Sequence, residues 1–235
     1  MRLAKRIAAL LLACALPLLL AACGENTETT GKETTMPVTF YDGPNPVVTF
    51  EMEDGSVIKA ELYPNKAPNT VKNFISIINS GFYDGKSFHR AVPGFIIQGG
   101  SSDGTSGGTF PYCIAGEFSN NGFAPNDLKH EPGVLSMARS SNNSASSQFF
   151  IVDGDDAASL NGGYAAFGKV IEGMDVVNRI AASPTTSPFA VGDPLRGNPM
   201  YDHEDQLVTP AVMKKVTVDT FGETFGEPVT LPPLR

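Results

Sequence analysis

The chain has 235 residues, of which 41% are hydrophobic and 18% charged, enough apolar material for a packed core and too much for wholesale disorder. Its net charge of −8 argues against non-specific nucleic-acid binding, which needs a basic face to displace counterions from phosphates. Three Cys, three His and no Trp, scattered along the sequence, do not assemble a four-ligand zinc site. With 24 Gly and 18 Pro, many turns and short strands are expected rather than a helical bundle.

Arg2, Lys5 and Arg6 form a positive start, followed by an apolar run from Ile7 to Ala22 interrupted only by Pro17. The run is shorter than the about 20 residues a membrane-spanning helix needs and fits the hydrophobic region of a secretory signal, residues 1–22. It ends Leu20-Ala21-Ala22-Cys23, which resembles a bacterial lipobox, with Cys23 as the lipidated first residue of the mature chain. Residues 23–45 open on a polar stretch without a large apolar side chain until Met36 and read as a flexible tether. Removing residues 1–22, which carry three of the 17 Lys and Arg and none of the 25 Asp and Glu, takes the net charge from −8 to −11. With Cys23 lipidated, Cys113 is left unpaired and no intramolecular disulfide is expected. The expected location is the extracytoplasmic face of a cell membrane, held by the lipid.

Along the mature chain, 47–53 and 57–63 are β-prone runs flanking Asp54-Gly55, a strong hairpin signal. Pro68-Asn69-Thr70 opens a helix in which Val71, Phe74, Ile75 and Ile78 recur at helical spacing, with Gly81 as its stop. Short strands are predicted at 87–90, 95–98, 134–138, 148–152 and 166–170. A second helix follows at 174–181, with Val176, Val177 and Ile180 on one face, and a last strand at 214–221. Residues 183–210, rich in Pro, Gly and Asp, read as a surface loop or insertion, and the Pro-rich tail 223–235 as loosely attached. The strand count predicts a mainly β fold, a closed antiparallel barrel with two helices.

Several short motifs fail on inspection. Gly81-Phe-Tyr-Asp-Gly85-Lys86-Ser87 has three residues between its glycines where a phosphate loop needs four, and it follows a helix rather than a strand. Asp153-Gly-Asp155-Asp156 lacks the rest of a calcium loop and reads as a polar turn. With only His89, His130 and His203 available as bases, no hydrolytic triad is expected.

Three stretches remain. In Phe88-His89-Arg90…Pro93-Gly94-Phe95-Ile96-Ile97-Gln98-Gly99-Gly100, strand alternation sets His89 opposite Phe88 and Arg90. Arg90 then shares a face with an aromatic, either as a functional cation or as a surface arginine with its stem on apolar neighbours. The second stretch is Pro132-Gly133-Val134-Leu135-Ser136-Met137-Ala138; the third is Ser146-Ser147-Gln148-Phe149-Phe150-Ile151, with Gln148 and Phe150 on one face.

Together with Phe167-Gly168-Lys169-Val170 and the closing Lys214-Lys-Val-Thr-Val218, these stretches resemble, in order and near spacing, the cyclophilin family of peptidyl-prolyl cis–trans isomerases. The resemblance covers roughly residues 46–222 and implies a closed eight-stranded barrel capped by two helices. It also implies a site: Arg90 matches the catalytic arginine. Phe95, Ile96, Phe150 and Leu160 match the walls of the proline pocket, and Gln98 and Gln148 its polar rim. Ala138 and the backbone of Arg139 match the segment that pairs with the substrate main chain, and Tyr164 falls where many members carry His and some bacterial members Tyr. Ile96 replaces a common Met and Arg139 a common Asn. Ser159 occupies the place of a Trp that contacts the inhibitor cyclosporin. The resemblance implies a monomeric, cofactor-free isomerase binding Xaa-Pro polypeptides, here exported proteins folding outside the cytoplasm. The competing readings are a proline-peptide-binding chaperone module without turnover and a solute-capturing lipoprotein, the latter disfavoured by the strand-rich pattern.

Overall fold

The computed structural model describes residues 40–108, 110–187 and 205–233. The expected signal segment, the lipidated Cys23 and most of the tether lie outside the described residues, as does the middle of the expected insertion. Strands β1 (Val47–Met52) and β2 (Val57–Leu62) form the hairpin expected around Asp54-Gly55. Gly55 takes a positive φ of 83°, and the Asp54 carboxylate accepts the Ser56 amide at 2.9 Å. Alternation sends Val48, Phe50 and Met52 inward from β1 and Ile58, Ala60 and Leu62 inward from β2.

The wall is completed by β3 (Ser87–Val92), β4 (Ile96–Gly99), β5 (Val134–Met137), β6 (Phe149–Val152), β7 (Ala166–Glu172) and β8 (Gln206–Asp219). All neighbours are antiparallel, in the closed order β1-β2-β7-β5-β6-β4-β3-β8. Closure leaves no unpaired edge. The two expected helices are α1 (Pro68–Asn79) and α2 (Met174–Ala181). From α1, Phe74 meets the barrel interior, its ring centroid 5.1 Å from Phe149 and 4.9 Å from Phe167. Phe149 in turn stacks on Phe50 at 5.6 Å, so one aromatic cluster joins α1, β1, β6 and β7. Among the described residues, no helix is long and apolar enough to cross a membrane.

Three differences from the sequence reading matter. The last strand begins at Gln206 rather than at Lys214, so residues 206–210 of the segment read as an insertion lie in the barrel wall. Val208, Thr209 and Pro210 are exposed there, so the alternation that would mark a strand is missing. The second difference is in β3. Phe88 pairs with Gly99 and Arg90 with the adjacent Gln98, so His89 is an extra residue, a β-bulge. Phe88 therefore enters the core while Arg90 faces the opposite side, and the two do not share a face.

The third difference is the tail, which is fastened rather than loose. Barrel, helices and tail fall in one compact unit, Val38–Arg235. Phe225 packs against the core and against Tyr41, with ring centroids 5.3 Å apart. Asn69 of α1 accepts the Val229 amide at 2.7 Å and donates to its carbonyl at 3.0 Å. Leu231 pairs with Cys113 through two main-chain hydrogen bonds of 2.7 and 3.0 Å. Cys113, a free thiol, is buried.

Candidate active site

Outside the barrel core lies a second apolar cluster built from the outward residues of the same strands. Ile96 of β4, Val134 of β5, Phe150 and Val152 of β6 and Ala166 of β7 are buried in it, with Phe95, Ala138, Leu160 and Tyr164 packed against it. Alternation on β6 is the organising fact: Phe149 and Ile151 enter the barrel core, Phe150 and Val152 this outer cluster. A cavity of about 720 Å³ opens over the cluster. It is lined by all ten residues matched to the family site, Arg90 among them, together with Ser159 and the loop 106–108. Arg90, Phe95, Ile96, Gln98, Ala138, Arg139, Gln148, Phe150, Leu160 and Tyr164 are thus brought to one place from five separate segments.

Arg90 is only 4% exposed, so its guanidinium lines the cavity from a largely desolvated position. A chain of side chains supports it: Arg90 Nη1 donates to Gln98 Oε1 at 3.5 Å, and Gln98 Nε2 donates to Gln148 Oε1 at 3.0 Å. Gln148 Nε2 then donates to the carbonyls of Ser106 and Gly108, at 3.2 and 3.1 Å. The strand register sets this chain up, because Arg90 pairs with Gln98 and Gln98 with Phe150. On the other side, Arg90 Nη2 stands 3.7 Å from the carboxylate of Asp205, which is itself buried. The sequence reading missed Asp205, because it belongs to a segment read as an insertion and no local pattern ties it to Arg90.

The apolar end is held from behind by His130, another residue missed in sequence. Its ring stacks on Phe150 at 5.9 Å and meets Tyr164 at 6.4 Å, while Phe150 and Tyr164 meet edge-on at 5.7 Å. Nε2 lies 3.0 Å from Ser136 Oγ and Nδ1 3.3 Å from Asn161 Oδ1. A neutral ring, donating from Nδ1 and accepting at Nε2, satisfies both contacts. Burial pushes the His130 pKa down to about 4, so the ring is uncharged at neutral pH.

The Arg139 side chain, which lines the cavity, is held by its neighbours. Its guanidinium lies over the rings of Tyr164 (4.4 Å) and Phe118 (4.9 Å), and Nε donates to the Gly163 carbonyl at 2.8 Å. Leu160 and Ser159 arrive on the 3-10 turn Asp155–Leu160. That turn is pinned to the β3–β4 loop: the Asp153 carboxylate accepts the Gly94 amide at 2.8 Å. A Cβ at Gly154 would come 2.6 Å from the Gly94 carbonyl, so only glycine allows the approach. Asp153-Gly-Asp155-Asp156 therefore acts as a structural turn. Among the described residues, no group of three or more His, Cys, Asp or Glu could hold a metal ion.

An outward apolar pocket beside a buried arginine, on a closed eight-stranded barrel with two helices, defines a class of protein, and comparison with known proteins agrees. The family described as "Cyclophilin type peptidyl-prolyl cis-trans isomerase/CLD" matches residues 47–202. Peptidyl-prolyl cis-trans isomerase B of Bacillus subtilis is 44% identical over 132 residues, covering 56% of this chain and 88% of that protein. An Acinetobacter baylyi peptidyl-prolyl cis-trans isomerase is 47% identical over 135 residues, 55% of this chain and 69% of its own. Among solved structures, a Cryptosporidium parvum cyclophilin-type isomerase superposes with a TM-score of 0.59 at 28% identity, covering 74% of this chain and 98% of its own. A second structure of that protein was determined in the presence of the dipeptide Ala-Pro. This chain belongs to the cyclophilin-type peptidyl-prolyl cis-trans isomerases.

Proposed function

We propose that this isomerase acts on exported polypeptides outside the cytoplasm, as a monomer tethered to a membrane by lipid on Cys23, with Arg90 as its catalytic group. The chemistry follows from the amide bond. Resonance gives the Xaa-Pro C–N bond partial double-bond character and a rotation barrier of about 18–20 kcal/mol. Twisting the bond makes the proline nitrogen pyramidal and frees its lone pair to accept a hydrogen bond. A guanidinium beside that nitrogen binds the twisted amide more tightly than the planar one, and every 1.36 kcal/mol of this difference is about tenfold in rate.

Each neighbour has a part in this reading. Phe95, Ile96, Phe150 and Leu160, with Tyr164 at the edge, grip the proline ring while the chain beyond it rotates. Gln98 and Gln148 aim the guanidinium and form the polar rim. The Ala138 amide is already committed to the Gln148 carbonyl at 3.0 Å, so pairing with the substrate main chain falls to the Ala138 carbonyl and the Arg139 backbone. The observation that carries the assignment is the desolvated Arg90 guanidinium lining the same cavity as the Phe150 cluster. The Ala-Pro dipeptide used with the Cryptosporidium parvum relative supports an Xaa-Pro ligand of the same kind.

A protease-free assay on an Xaa-Pro peptide tests the catalytic part. Removing a transition-state donor typically costs about 10²–10³ in rate, and Arg90→Ala is expected to lose that much. It also takes a buried cation from beside the buried Asp205 carboxylate, so its melting temperature falls, and circular dichroism checks that the variant assayed is folded. Arg90→Lys keeps the charge but loses the rigid fork of donors, and it is expected to lose most of the activity too. Near-wild-type turnover in either variant removes Arg90 from the role. The address rests on the charged start, the apolar run and Leu20-Ala21-Ala22-Cys23. Expressed in a bacterium with a clickable palmitate analogue, the full chain is expected to be labelled and to fractionate with membranes, and Cys23→Ala to do neither.

A further inference from the structure

The cavity is much larger than one proline ring requires, and its lining extends beyond the apolar cluster around Phe150. Ser106, Gly108, Phe110, Cys113, Ser144 and Pro233 also line it. Pro233 belongs to the tail, outside residues 47–202 that carry the family match. It arrives there by successive attachments. Asn69 clasps the main chain of Val229 at 2.7 and 3.0 Å, and Leu231 pairs with Cys113, itself a lining residue, at 2.7 and 3.0 Å. Pro233 follows two positions beyond that pairing.

The residue types suit a wall rather than a passing strand. Proline at 228, 232 and 233 restricts the unfolded tail, so ordering it costs less entropy. Neither Pro232 nor Pro233 carries an amide N–H, so these two positions present rigid rings and no donor in need of a partner. The Cys113 main chain is fully engaged with Leu231, and a released tail leaves it open as an unpaired edge beside the cavity.

We propose that Pro233, held by the Leu231–Cys113 pairing, forms part of the wall of the substrate groove and limits the size of the side chain accepted at a position flanking the substrate proline. This specificity role rests on the assignment of the cavity as the isomerisation site. The tail is thus a part of the enzyme's substrate selection contributed by sequence beyond the barrel.

The test uses the full chain and peptides carrying Ala or Phe in turn at each of the two positions before and after the proline. The quantity read is the ratio of kcat/KM for Phe over Ala at each position, which a uniformly damaged enzyme leaves unchanged. Pro233→Gly removes the ring, and Leu231→Pro removes the amide that holds the tail to Cys113. Both are expected to raise the ratio at one flanking position by fivefold or more. A ratio that stays within twofold of wild type at every position in Pro233→Gly, or a parallel loss on all peptides, overturns the proposal while the isomerisation site stands. A wild-type chain that turns over none of the peptides overturns both.

Discussion

Ser159 sits on the cavity lining, on the 3-10 turn that also delivers Leu160. In the cyclophilin resemblance its place belongs to a Trp that contacts cyclosporin. An indole buries 150–250 Å² where a serine offers a hydroxymethyl group, and at about 25 cal/mol per Å² the loss amounts to a few kcal/mol of inhibitor binding. Weak cyclosporin inhibition is therefore expected, with Ser159→Trp tightening it by at least tenfold, about 1.4 kcal/mol. Nanomolar inhibition of the unmodified enzyme, or no gain in the variant, counts against placing Ser159 at the inhibitor's contact surface. Arg139 makes the complementary point: its guanidinium braces Tyr164 and Phe118, so exchanging the usual Asn for Arg changes a strut and leaves the backbone contact free to serve.

At the scale of elements, the start of α1 shows how a distant residue completes a local structure. Ala67 precedes the helix and offers no side-chain cap. The orphan amides of Asn69 and Thr70 are taken instead by the two carboxylate oxygens of Glu117, at 2.9 and 2.7 Å, with the Thr70 hydroxyl adding a third bond at 2.7 Å. Burial pushes the Glu117 pKa up, while the two amides and the hydroxyl pull it down. Glu117 is held in turn by Asn126, whose amide donates to the Glu117 carbonyl at 2.7 Å and to the Ala166 carbonyl at 2.9 Å. Glu117→Ala is expected to cost about 1–3 kcal/mol in urea unfolding, because it strips one cap and leaves buried donors without partners. A loss below about 0.5 kcal/mol contradicts this account of the cap.

For the molecule as a whole, His130 links acidity to stability. Its pKa is about 4 when folded, against an ordinary value of 6.5. Between these values the unfolded chain binds a proton that the folded one refuses. Stability therefore rises with pH through the window from 4 to 6.5, is fully present above it, and is lost as pH falls through it. The shift is worth about 3 kcal/mol at the bottom of the window. Urea unfolding across that range should show this slope, flattened in His130→Gln. A wild-type midpoint that does not move over the window contradicts it. Since His130 stacks on Phe150, the apolar cluster of the folded enzyme is expected to loosen only as pH falls below about 4, where the folded ring takes up its proton.

Much of this was legible in the residues alone. Alternation in β1 and β2 with Asp54-Gly55 between them, and helical spacing in α1 and α2, are patterns that a few neighbouring side chains settle among themselves. The motif residues from Arg90 to Tyr164 could be proposed from the family resemblance, most of them because they lie in short recognisable runs. The bulge at His89 was not legible, since one extra residue is set by what β4 and β8 offer on either side. Nor was the start of β8: after the buried Leu207, residues 208–210 are all exposed on the barrel wall, so no hydrophobic alternation marks the strand. Asp205 beside Arg90, Glu117 on α1 and Pro233 at the cavity join residues far apart in sequence. By itself, the sequence determined most of the elements and the ten motif-matched residues of the site, but neither Asp205 nor His130. The tertiary structure decided which way Arg90 faces, what holds it and what walls the groove, because burial and main-chain pairing act on neighbours in space, whatever their separation along the chain.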